Sequence, residues 1–85
     1  MPIFHNDEQQ FDVRMEETSE QRTVTVYDYN YHVQGVIEVE LSEVIDNDLE
    51  GLLDIISEKL VGHILLDEDE QLEQKLFLCK VCRLL

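Results

Sequence analysis

The stretch Arg22 to Ser42, "RTVTVYDYNYHVQGVIEVELS", decides the fold, because it reads as two β-strands whose connecting turn fixes the register around them. Alternating apolar residues mark one strand in 22–32 and another in 36–42. A loop of only Gln34 and Gly35 would set Tyr31 against Glu38 and Tyr29 against Glu40, mixing apolar and acidic side chains on both faces. A loop of Val33, Gln34 and Gly35 instead pairs Tyr31 with Ile37, Tyr29 with Val39 and Tyr27 with Leu41. That register makes one apolar face continuous and puts Gly35 where a left-handed backbone is wanted. The other face then carries Asp28, Asn30 and His32 opposite Glu40, Glu38 and Val36.

Upstream, "FDVRM" alternates in the same way, with Phe11, Val13 and Met15 on one side and Asp12, Arg14 and Glu16 on the other. The polar "EETSEQ" that follows is a turn, so the first half of the chain reads as a three-stranded antiparallel meander. Downstream, "DNDLEGLLDIISE" (Asp46 to Glu58) offers two chemistries. Counted as a calcium loop it supplies Asp46, Asp48, Glu50, Gly51 and Asp54 at useful positions, but the place of the bidentate glutamate is taken by Ser57. Counted as a helix it has Asn47 as N-cap, Glu50 at the third helical position, and Leu49, Leu52, Leu53, Ile56 and Leu60 along one face. The helix is the reading adopted, with Gly62 as its terminator and Gly51 an interior cost of about 1 kcal/mol against alanine.

Residues 63–66 read as either a connecting strand or a turn. Then "DEDEQLEQKLFLCKVCRLL" repeats the helix-start signature, with Asp67 as cap and Glu70 three residues on. Phe77, Leu78, Val81, Cys82 and Leu85 share one side of that helix, and Lys75, Lys80 and Arg83 share the other. Acids lead and bases trail, which matches the helix dipole. The expected fold is therefore α+β, a β-β-β-α-α chain with two helices packed on one face of the sheet. All 85 residues form one domain, with residues 1–9 allowed to be flexible.

Charge is the most unusual global property: six Lys and Arg against twenty Asp and Glu give −14. Residues 43–74 alone carry eleven acids against Lys59. Direct contact with nucleic acid or with anionic lipid is disfavoured, since both draw on positive patches. A basic protein partner, nucleic-acid-binding proteins among them, is the natural complement. With no long apolar run and no basic-then-apolar leader, the expected location is the cytoplasm.

Enzymatic chemistry finds no candidates. The chain has three isolated glycines and so no phosphate-cradling loop, and its serines lack a nucleophile-elbow context. Cys79 and Cys82 make a single C-x-x-C near the end of a helix, and the scattered His5, His32 and His63 do not complete a zinc set. The two cysteines are read as core packing, with no metal and no cofactor expected. Function is then assigned to the surface. The expected partner-binding residues are Asp28, Glu38, Glu40, Asp46, Asp48, Asp54, Asp67, Glu68, Asp69 and Glu70. In size, charge and lack of a catalytic motif the chain resembles the acidic nucleic-acid mimics and anti-defence inhibitors of phages and mobile elements, a likeness of type and not of motif. The alternative is a self-associating structural or adaptor subunit, a homodimer built on Leu72, Leu76, Leu78, Val81 and Leu85, whose acidity serves only solubility.

Overall fold

The computed structural model describes residues 3–60 and 67–84. Four strands form one antiparallel meander in chain order: β1 (Ile3–Asn6), β2 (Phe11–Glu17), β3 (Gln21–Asp28) and β4 (Val33–Glu40). Three helices follow: α1 (Leu41–Asp46), α2 (Leu49–Lys59) and α3 (Glu68–Cys82). The class is α+β, and the described residues hold one strand and one helix more than the β-β-β-α-α pattern read from the sequence. β1 has only four residues, too few to show a period, and it pairs Phe4 with Val13 and Asn6 with Phe11. The expected strand or turn at 63–66 and the terminator Gly62 lie outside the described residues.

The alternation in β2 holds: Phe11, Val13 and Met15 are buried, while Asp12 and Arg14 face the other way. The β3–β4 register does not hold. Val24 pairs with Ile37 and Arg22 with Val39, and the turn is made by residues 29–32 in place of 33–35. The reason is the interior. Val13 lies opposite Val26 and Met15 opposite Val24, so β3 must present Val24 and Val26 to the core. That parity sends Tyr27 to the outer face, and a bulge between Val26 and Tyr27 completes the shift.

Asp28 closes the turn. Its Oδ1 accepts the backbone N–H groups of Asn30 and His32, both at 2.9 Å, and its Oδ2 accepts Gln34 Nε2 at 3.0 Å. Tyr31 is thereby held at φ 64°, a left-handed conformation that costs a bulky residue about 1 kcal/mol or more. Gly35 is accordingly not a turn glycine. It sits in β4, where an added Cβ would come within 2.9 Å of Leu60 Cδ1, so its missing side chain is what lets the end of α2 approach the sheet.

Helix boundaries follow local chemistry. At Glu40 the chain turns into α1 through a reciprocal capping box with Glu43, which ends the strand two residues before the sequence reading. Asn47 Nδ2 donates to Glu43 O at 2.8 Å, closing α1. Asp48, not Asn47, is the N-cap of α2, accepting Gly51 N at 2.8 Å. Gly51 also has a spatial reason, since a Cβ there would lie 2.6 Å from Asn47 Oδ1. Asp67 caps α3 through Glu70 N at 2.8 Å, as its spacing foretells.

The helices cover one face of the sheet. Leu52, Ile56 and Leu60 of α2 and Leu78, Cys79, Val81 and Cys82 of α3 join Val13, Val24, Val26, Ile37 and Val39 in a single core. Phe77 meets Phe11 edge-on with centroids 5.4 Å apart, fixing α3 against β2. At the edge of the sheet, Lys59 Nζ donates to the backbone oxygen of Glu38 at 2.6 Å. No described helix is long and apolar enough to cross a membrane.

Among the described residues, one buried side chain is charged. Arg22 stands on the core face of β3 at 4% exposure, its Nε 3.1 Å from Glu17 Oε2 and its Nη1 2.5 Å from the carbonyl of Cys82 at the end of α3. Replacing Arg22 by alanine should cost about 3 kcal/mol in urea denaturation, because the buried Cys82 carbonyl at the end of α3 loses its charged donor and the packing of the buried arginine side chain is lost. Glu17→Gln should cost no more than about 1 kcal/mol, since that carboxylate is half in water. Equal losses from the two changes would contradict this asymmetry.

Candidate functional site

The expected acidic residues do not form one patch. Asp67, Glu68, Asp69 and Glu70 lie at the start of α3, where they complement the positive end of its dipole. Glu38 and Glu40 are exposed along β4, Asp46 and Asp48 flank the α1–α2 junction, and Asp54 is exposed on α2. Asp28 is turned into its own loop. Bonds from the backbone of His32 hold its carboxyl below the ordinary carboxylate range, and they occupy the lone pairs a partner would need.

What gathers is the end of the molecule that holds the β1–β2 turn and the start of α3. Gln9 Nε2 donates to Glu70 O at 3.0 Å and to Glu73 Oε2 at 3.4 Å. This ties Asp7 and Glu8 of the turn to the acidic first turns of α3. Tyr29 reaches the same turn, its hydroxyl donating to Asp7 Oδ1 at 2.6 Å. That bond, with burial and the charge of Asp7 behind it, pushes the phenol up to about 12, so Tyr29 remains a donor throughout the physiological range. Asp7 and Glu8 escape a reading by linear charge runs, because only the pairing of β1 with β2 brings the turn to α3.

The outer face of the sheet is a second surface that the expected register concealed. His5, Asp12, Tyr27 and Val33 form one row across the four strands, and Ile3, Arg14, Thr25 and Val36 form the next. His5 Nδ1 lies 2.7 Å from Asp12 Oδ1. A hollow of about 280 Å³ is lined by Ile3, Asp12, Arg14, Tyr27 and Tyr31, and an adjoining one of about 410 Å³ by His5, Asp7, Asp12, Tyr29 and Tyr31. The chemistry on offer is aromatic surface beside carboxylate, suited to holding a cation by its charge and its apolar stem together.

The expected self-association residues divide. Leu72 and Leu76 are 48% and 37% exposed on α3. Leu78 and Val81 are in the core at 0% and 2%, where a charge would unfold the chain before it touched a second copy. Leu85 lies outside the described residues.

Cys79 and Cys82 are buried and unbridged. Among the described residues no group of three or more His, Cys, Asp or Glu side chains is placed to hold a metal ion. Burial pushes the Cys79 thiol up to about 11, and burial likewise raises Cys82. Native protein at pH 8 should therefore leave both thiols unlabelled by a thiol-specific reagent, with both reacting in urea; rapid labelling of the folded chain would contradict their placement. Since Cys79 keeps its proton longer in the fold than in the unfolded chain, its contribution to stability is whole below pH 9 and is lost as the pH rises through about 11. Comparisons of this chain with protein-family models, with curated proteins and with solved structures find no match.

Proposed function

We propose that the chain is a non-enzymatic acidic interaction module acting in the cytoplasm on a basic protein, and that the class of partner is a nucleic-acid-handling protein whose basic groove it occupies. One observation carries this reading: the described acids are not buried, and at the α3 end the acidic β1–β2 turn is hydrogen-bonded to the acidic start of the helix, although the two are far apart in the chain. Glu70 and Glu73 are anchored to the Asp7–Glu8 turn by Gln9, a separation of more than sixty residues. Ordered carboxylates on a rigid frame present a field that a flexible acidic tail would not. The two unbridged thiols are in keeping with a reducing compartment.

The corresponding experiment is capture of partners from the native host at two salt concentrations, followed by competition with DNA or RNA. Binding to a basic protein should fall by about tenfold or more between roughly 50 and 200 mM salt, and nucleic acid should displace it. A partner that stays bound regardless of salt, or one indifferent to nucleic acid, would refute the reading.

A second reading rests on Leu72 and Leu76, one helical turn apart and open to water on α3. They form a short apolar stripe that a two-fold homodimer would cover, with acidity serving solubility. Light scattering should then report a dimer that Leu72→Glu with Leu76→Glu converts to a folded monomer. A wild-type monomer at high concentration would remove this reading.

A further inference from the structure

We propose that the outer face of the sheet is the surface on which the basic partner docks, and that what docks is a cationic amphipathic segment of that partner. The inference rests on the reading of the chain as an acidic module and adds where and how it binds. Among the described residues all three helices lie on the opposite face, and on this one Ile3, Val33 and Val36 are 55%, 56% and 54% exposed. Tyr31 is 80% exposed and lines the hollow together with Ile3 and Tyr27.

The chemistry of the face changes along the strands. Next to the two rows that hold Ile3, Tyr27, Val33 and Val36 comes a row with Glu16 and Glu38 on either side of Thr23, an arrangement that spaces the two carboxylates about 10 Å apart across β3. The one arginine on this face, Arg14, stands 3.5 Å from Glu16. A segment with apolar side chains toward one end and Lys or Arg toward the other matches both halves. A second copy of this chain does not match them, for it would bring a charge of −14 against −14 with Arg14 as the face's arginine. Nucleic acid is excluded by the same sign.

Tyr31 supplies an independent argument. A tyrosine at φ 64° is strained where glycine or asparagine would not be, and Asp28 fixes the whole turn around it. The strain does nothing for the core, because the side chain is almost wholly outside it. It does set an aromatic side chain at the lining of the hollow, where the stem and charge of a lysine or arginine are well received.

The test is a backbone NMR titration at low salt with a twelve-residue peptide that is leucine-rich in one half and lysine-rich in the other, and with its lysine–serine counterpart of equal charge, in which serine replaces each leucine. The lysine–leucine peptide should shift amides of β2, β3 and β4 and bind about tenfold more tightly than the lysine–serine one, since the exposed Ile3, Val33 and Val36 add to the charge. Tyr31→Gly should weaken it by about tenfold while leaving the thermal midpoint no lower, and Val36→Ser should weaken it without loss of fold. Glu38→Lys should weaken it more than Asp54→Lys, which makes the same charge change on α2. If the two peptides bind alike, if the shifts sit on α3 alone, or if the two lysine variants are equivalent, the docking face is wrong and the acidic-module reading stands. If neither peptide binds, the acidic-module reading itself falls.

Discussion

Arg22 is the constraint around which the fold is arranged. Taking a guanidinium out of water is costly, and the structure offsets this with the Glu17 carboxylate on one side and the carbonyl of Cys82 on the other. The second bond places a positive charge at the negative end of the α3 dipole and clamps the last turn of that helix onto β3. With Arg22 inward, Val24 and Val26 must also be inward, while Thr23, Thr25 and Tyr27 must be outward. The same residue therefore sets which half of the meander faces the helices, where α3 ends, and which side chains are left for the outer surface.

This also explains which parts of the fold were legible in the sequence. "FDVRM" alternates cleanly because β2 has one buried and one half-open face, and Asp67 with Glu70 marks α3 because that cap is a purely local bond. The β3–β4 register depended on a partner beyond the hairpin. Judged as two strands alone, three tyrosines against Ile37 and Val39 make the better apolar face. Judged beside β2, Val24 and Val26 must take that place, with an arginine accepted on the core face next to them. Composition treats Arg22 as polar and therefore outward; only its bonds to Glu17 and Cys82 show otherwise. β1 and α1 were too short to carry a period, and α1 replaced the last residues of an expected strand through a capping box of two glutamates.

The surfaces proposed for binding were legible in the sign of their charge and not in place. Asp67 to Glu70 stand at the start of α3, where the sequence put them. Asp28 had looked like an outward acid, yet it is spent on the turn that poses Tyr31. Asp7 and Glu8 join the α3 acids only because β1 folds back on β2, and the row of Ile3, Arg14, Thr25 and Val36 exists only in the observed register. Leu78, Val81 and the two cysteines show the converse: an apolar helix end that suggested a sticky surface is largely consumed by the chain's own interior.

The ammonium of Lys59 on the Glu38 carbonyl has a consequence for life at high concentration. A four-stranded sheet leaves two borders open to templated growth, and β4 is the longer of them. Here a side chain from α2 already occupies a carbonyl on that border, so an incoming strand has to evict a cation before it can hydrogen-bond there. The opposite border offers just four residues. Crowded molecules of this protein are thus steered away from the fibrous, amyloid-like stacking that bare sheet margins invite.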